Sequence, residues 1–170
     1  MIRIFVISLT CLMCSSVAFA CDCVGPGVPS ELNTAAAVFR GKVVRKDEYP
    51  PRQGDVRRRY AVHFAVTTRW KGPDAKEIVV YDPAGPTDCD NVGFEDKKEY
   101  VVFARQRSIA ADDPRDTLVV AMGLAPDFWS DILAVGSKIF IAQACTNTKE
   151  RSWQGFGRTI AELGTGRPIQ

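Results

Sequence analysis

The chain has one histidine in 170 residues, His63. Without a recognisable nucleophile, a paired acid and base or a metal motif beside it, acid–base, nucleophilic and metal-assisted chemistry lack their groups, so the sequence does not read as an enzyme and implies no cofactor. A charge excess is missing too: 22 Lys and Arg stand against 20 Asp and Glu, and one of those cations, Arg3, lies in the leader described below. Near-neutrality gives no electrostatic reason to expect nucleic acid or an anionic membrane as partner. The basic run Arg57-Arg58-Arg59 has Asp55 close by and reads as a solvated hairpin end. There is no internal repeat and no low-complexity tract. Beyond residue 20 no apolar run is long enough to span a bilayer, and no C-x-x-C pair offers zinc or redox chemistry.

What is present begins with a leader. Arg3, the apolar run Ile4 to Met13 and the small-residue end Ala18-Phe19-Ala20 form the three parts of a secretion signal covering residues 1–20. Its apolar run is about half the ~20 residues of a spanning helix. Export makes the product secreted or periplasmic, with Cys21 as its first residue. The competing reading is a lipoprotein signal, with Cys21 acylated and the protein tethered to the cell envelope, although Ala18 and Phe19 fit such a site poorly.

Cys11 and Cys14 leave with the leader, and Cys21, Cys23, Cys89 and Cys145 remain. An even number in a small exported domain marks a disulfide framework. A Cys21–Cys23 bridge across one residue falls outside normal disulfide geometry. Two cross-pairings stay open, and either would stabilise the fold by roughly 4 kcal/mol per bridge on the chain-entropy account.

Gly25-Pro26-Gly27-Val28-Pro29 is a turn-rich linker, and Ser30 offers an N-cap for a short helix through about Ala36. Alternation from Ala37 marks a strand, and residues 46–57 read as a long polar hairpin loop. From Arg58 to Trp70, Tyr60, Val62, Phe64, Val66 and Trp70 share one parity, the core-facing one. Arg59, Ala61, His63 and Ala65 share the other, which places His63 on an outward face without a carboxylate partner. Ile78–Tyr81, Tyr100–Ala104 and Ile139–Ala144 are further strands, with Thr117–Met122 another candidate; residues 82–99 are a loop holding Cys89 and Phe94. Asp127 is placed to cap a helix with an apolar stripe of Phe128, Trp129, Ile132 and Leu133, read as packing. Phe156, Ile160 and Leu163 have helical spacing, with Gly164 as C-cap. The result is all-β with flanking short helices, and a five-stranded partly open barrel is the common solution at this size.

Cys21-x-Cys23-Val24, Ala37-Val38-Phe39-Arg40-Gly41-Lys42-Val43, Trp70-Lys71-Gly72, Cys89 with Phe94, Tyr100 to Ala104 and Cys145-Thr146-Asn147-Thr148 occur in an order and spacing that resembles the netrin-like module. The closest likeness is to the inhibitory domain of the tissue inhibitors of metalloproteinases, in a bacterial-type secreted form. The resemblance spans residues 21–148, with 106–138 longer than the usual connection and 149–170 a C-terminal helical extension. It implies an OB-like, five-stranded antiparallel Greek-key barrel whose N-terminus is stapled by Cys21–Cys89 and Cys23–Cys145. It also implies a contact ridge of Cys21, Asp22, Cys23 and Val24. In the animal inhibitors the α-amine and carbonyl of the first cysteine chelate a protease's catalytic zinc, so Cys21 would bind a partner's metal while the domain holds none of its own.

Asp22 departs from the uncharged residue of those inhibitors, and a carboxylate in an apolar pocket costs several kcal/mol unless a cation meets it. Asn33 and Thr34 stand where a third N-terminal cysteine would be, and Lys97 stands at a turn glycine's position. The expectation is a monomeric exported protein-binding module, with zinc-metalloprotease inhibition as its most specific form. A small-ligand or polysaccharide-binding domain, or a structural envelope domain, is the alternative.

Overall fold

The computed structural model describes residues 26–51, 58–84, 92–109, 129–142 and 146–169. These are mostly β, with two short helices. Helix α1 (Val28–Thr34) starts before Ser30: Gly27 is its N-cap without a side-chain bond, and Pro29 occupies the first turn, where a missing N–H costs nothing. Its far end is held by Lys71, whose Nζ donates to the carbonyls of Leu32 and Asn33 at 3.0 and 2.8 Å, a cation at the negative end of the helix dipole.

Strand β1 (Ala37–Tyr49) runs past the point where a loop was expected. Lys46, Asp47 and Glu48 do not end it, because this half still pairs with β2 (Arg58–Lys71), which is itself paired on its other edge over the same residues, and only one edge of β1 is left open, with Arg45 and Glu48 exposed. Over Ala37–Lys42, β1 pairs on its other edge with β4 (Glu99–Ser108). Strand β2 also pairs with β3 (Glu77–Ala84), β3 with β5 (Lys138–Ile141), and β5 with β4, so the sheet returns on itself as a ring in the order β1-β2-β3-β5-β4. Chain direction alternates along the sequence, and a ring with an odd number of alternating strands must contain one like-directed pair. That pair is β3 and β5, which run parallel, so the expectation of a wholly antiparallel sheet is corrected at this seam.

Inside the ring lie Phe39, Val43, Val62, Phe64, Val66, Val80 and Val102 with other apolar groups, as the alternation of β2 predicts except at Trp70, which packs in the cluster outside the ring. Phe64 is the hub, with edge-to-face partners Phe39, Phe94 and Tyr100 at centroid distances of 5.5, 5.0 and 6.2 Å. Gly41 stands where β1 and β2 approach closely, since a Cβ there would lie 3.0 Å from the Ala65 carbonyl oxygen.

Outside the ring are two further apolar clusters. One joins Val38, Val101 and Phe103 to α1 and to α2 (Phe156–Leu163), the helix expected from its spacing, which ends at Gly164 with φ 68°. The C-terminal tail continues this layer: β7 (Arg167–Pro168) pairs with Thr68 and Arg69, and the Trp70 indole donates to the Gly164 carbonyl at 2.9 Å. The other cluster joins Ile109, Trp129, Ile139 and Ile141. Here the Trp129 carbonyl accepts from the Ile132 and Leu133 N–H groups in a helical turn; Asp127 and Phe128, where the expected helix would start, lie outside the described residues, as do Ala111–Pro114 and Thr117–Met122. Trp129 is wholly buried and packs edge-on to Tyr81 at 4.9 Å, which agrees with its reading as packing. This cover also buries Arg59, whose guanidinium donates to Asp131 and to the Pro50 carbonyl.

Lys97 is the one non-glycine residue at positive φ among the described residues, at 64°. Its amide donates to the Val43 carbonyl and Val43 N–H bonds the Lys98 carbonyl, so the turn into β4 is locked in register. A left-handed conformation costs an L-residue roughly 1–2 kcal/mol, part of which glycine returns through its larger unfolded-state entropy. Lys97→Gly is expected to stabilise the fold by about 1 kcal/mol in denaturant unfolding.

Candidate functional site

The expected ridge, Cys21, Asp22, Cys23 and Val24, and the cysteines Cys89 and Cys145 lie outside the described residues. Described next to them is a frame built on two buried carboxylates. The first is Glu31 in α1, 3% exposed. One of its oxygens accepts both the Asn147 backbone N–H at 2.7 Å and the Asn147 side-chain amide at 2.6 Å. The same amide nitrogen donates to the Pro26 carbonyl at 2.7 Å, so one asparagine ties the chain following the ridge to the chain following Cys145. Burial pushes the Glu31 carboxyl above its ordinary value, opposed by the Asn147 donors and the charges of Arg105 and Lys149. Thr148 completes the tie by accepting from the Phe103 N–H of β4 at 2.9 Å.

The second carboxylate is Asp82 near the end of β3, 1% exposed. It accepts from the Val92 N–H at 3.3 Å. Burial pushes it up to about 6, against the pull of the Val92, Gly93 and Phe94 amides and of Lys46. Lys46 donates to the Phe94 carbonyl at 2.9 Å with its ammonium over the Tyr60 ring, and the Glu95 N–H donates to the Tyr100 hydroxyl. Segment 92–95 is thus held at both ends.

Between segment 92–95 and the stretch from Thr148 to Gly155 is an open cleft of about 800 Å³. Strand β6 (Lys149–Glu150), which pairs with Val101 and Tyr100 of β4, forms part of one wall. Trp153 stands 54% exposed in it, with the Lys149 ammonium 4.6 Å from its ring centre, and Arg158 of α2 lines the same cleft. A second open space of about 630 Å³ adjoins it at Glu150 and Ser152 and is lined by Lys42, Lys97, Lys98 and Arg151. There Glu99 takes a bidentate bond from Arg40 at 2.7 and 3.1 Å and another from Arg151 at 2.9 Å. The hydrogen bond from Arg40 is the main cause holding its carboxyl below the ordinary range.

His63 departs from the sequence expectation. It does face away from the ring interior, but it is 8% exposed and not a surface histidine. Nδ1 lies 2.6 Å from the Glu77 carboxylate and Nε2 3.0 Å from that of Asp47, with the Arg45 guanidinium 2.8 Å from Nε2. Three strands meet here, Asp47 from β1, His63 from β2 and Glu77 from β3, and register alone brings them together. The cluster is a tie across the outer face. Among the described residues no group of three or more His, Cys, Asp or Glu is arranged to hold a metal, and no helix is long and apolar enough to cross a membrane. The frame presents fixed backbone, one exposed indole and several cations.

Glu31, Asp82, Trp153 and Arg158 were not legible as site residues. Trp153 carried the one usable signal, an aromatic flanked by Arg151-Ser152 and Gln154-Gly155 with no apolar neighbour to pack with. No family model matches the chain, and no curated protein matches it significantly.

Asp82 makes stability pH-dependent with a defined sign. Its folded value of about 6 stands above the ordinary 3.8. Its contribution is therefore complete below pH 4 and is lost as pH rises through about 6. Asn at this position keeps an acceptor for the Val92 N–H and carries no charge. Denaturant unfolding at pH 4 and pH 7 is expected to show Asp82→Asn gaining about 3 kcal/mol on the parent between the two.

Proposed function

We propose that the chain is an exported protein-binding module of the netrin-like kind, an OB-like barrel whose N-terminal ridge Cys21-Asp22-Cys23-Val24 makes the contact. The ring order with a single parallel seam between β3 and β5 supports the barrel reading. The observation that carries the ridge reading is the Asn147 tie to Pro26 and Glu31. Pro26 follows Cys23 by three residues and Asn147 follows Cys145 by two, so a Cys23–Cys145 bridge is compatible with the tie. Val92, three residues after Cys89, lines the same cleft as Thr148, three residues after Cys145. Bridges Cys21–Cys89 and Cys23–Cys145 fit this convergence and would staple a rigid ridge onto the barrel's end.

In its most specific form the module inhibits a zinc metalloprotease. With the leader removed, the Cys21 α-amine, whose ordinary pKa is near ~7.7, has an unprotonated fraction at neutral pH and chelates together with the Cys21 carbonyl. That pair fills the open position a catalytic zinc keeps. Asp22 then enters the target's specificity pocket, which selects a protease with a cation there. The chemistry is binding, without turnover.

Intact mass, N-terminal sequencing and non-reducing peptide mapping of the exported protein are expected to give a chain beginning at an unmodified Cys21 with the two bridges. An acylated Cys21 would leave no free amine and would end the inhibitor reading. Against zinc proteases, one added N-terminal Ala is expected to abolish inhibition while the melting temperature stays unchanged, and Asp22→Thr to shift which protease is inhibited. Equal inhibition by the extended form would refute the chelation.

A further inference from the structure

We propose that the cleft along the outer edge of β6 is a docking groove for an extended, acidic segment of a protein partner, with Trp153 as its anchor and Arg158 and Lys149 as its charge contacts. The inference rests on the described residues alone and does not require the Cys21 ridge. Both walls are already in place: segment 92–95 is fixed by Asp82 and Tyr100, and β6 by its pairing with β4. A preformed groove saves the ordering cost that weakens flexible sites. Among the described residues β6 pairs with a strand on one edge only, so the other edge offers main-chain groups to a peptide laid alongside it. Two residues of strand give few such bonds, so side chains must supply most of the affinity.

Trp153 suits that part. It is a large exposed aromatic at a polar surface, and its position is set: a Cβ on Gly155 would lie 1.5 Å from the indole Cζ3, and Lys149 sits over the ring. Tryptophan and arginine are among the residue types enriched at interface hot spots. An ammonium over the ring also disfavours the open stacking face that a sugar needs, which favours a peptide over a polysaccharide. The sign of the partner follows from the balance of charges: Glu95, also in the cleft, has no ion pair with a described residue, but Arg158 and Lys149 together with Lys42 and Lys97 of the adjoining space outnumber it. Glu150 is already paired with Lys98 at 3.3 Å, whereas Arg158 has no ion pair or hydrogen bond with a described residue. Lys149 is half-buried with its ammonium on the Thr146 carbonyl at 3.2 Å, and desolvation lowers its pKa despite the attraction of Glu31, so an arriving carboxylate would favour its charged form. Lys97 and Lys42 in the adjoining space extend the positive rim.

The test uses the processed protein and three probes: a peptide of alternating Glu and Val, the same peptide with Lys for Glu, and polygalacturonate. Binding is read by calorimetry and tryptophan emission. The acidic peptide is expected to bind, more weakly as salt rises, and to lose affinity when alternate backbone amides are N-methylated. Trp153→Ala should weaken it about thirtyfold and Arg158→Glu about tenfold, with Trp153→Tyr restoring most of the loss. Both positions are exposed, so melting curves of the variants should overlay the parent's. Equal binding of the Lys peptide, affinity indifferent to both substitutions, binding of polygalacturonate alone, or no binding at millimolar peptide would each overturn the proposal. An added N-terminal Ala should leave peptide binding intact, so failure of the ridge reading and failure of the groove are separable.

Discussion

The structure depends on β1 being shared. Over Ala37–Lys42 it pairs with β2 on one edge and β4 on the other, and this double pairing turns an open sheet into a ring. Everything that shapes this stretch serves that closure. Gly41 removes the Cβ that would press on the Ala65 carbonyl, and register shifts at Val38/Phe39, Arg40/Gly41 and Val43/Arg45 bend the strand enough to face both neighbours. Beyond Val43 the sharing stops, and β1 continues with one open edge whose charged positions discourage further strand pairing. A like-directed pair is a consequence of the same closure, since a ring of five alternating strands must contain one, and the strand order places it at β3–β5.

Closure also explains why motifs that suggested a functional family do structural work here. Trp70-Lys71-Gly72 ends β2: Trp70 packs with the helix layer and bonds Gly164, and Lys71 caps the last carbonyls of α1. Gly72 takes φ 102° where a Cβ would lie 2.8 Å from that of Ala37. All three hold the linker before β1 in place. Ala37 to Val43 is the shared strand itself. A motif can therefore persist through what the barrel-like ring demands, and function has to be argued from residues the ring does not need, such as Trp153 and Arg158.

Much of the fold was legible and its limits have a physical cause. The β2 alternation and the α2 spacing read correctly because large apolar residues recur at the period of their element, and the Gly164 cap because only glycine takes that φ easily. The polar extension of β1 was invisible because charged strand residues whose partners lie on other segments, such as Lys46 and Asp47, look like loop residues in the sequence. Strands β6 and β7, two residues each, are shorter than any period. His63 was misjudged because parity gives the face a side chain points to but not whether that face is covered. Asp47 and Glu77, 16 and 14 residues away, become its partners only through register. The site was less legible than the fold, because Glu31 and Asp82 act by being buried and single-sequence patterns treat isolated carboxylates as surface.

Those two carboxylates are not interchangeable with apolar residues. Each sits where separate stretches of backbone must be gathered: Glu31 takes two donors from Asn147, and Asp82 takes its donors from the segment following residue 91. An apolar side chain at either place would leave those N–H groups buried and unpaired, a loss of roughly 1–3 kcal/mol each. The cost of holding a carboxylate out of water, visible in the upward shift of both groups, is what the ties exact from stability. That cost is better explained by a need for position than by a need for stability, since well-packed apolar groups commonly stabilise as much or more. What the ties position is the end of the ring where Pro26 and α1, the 92–95 segment and the Trp153 cleft are gathered, and a surface built from loops keeps one shape only if such ties hold it.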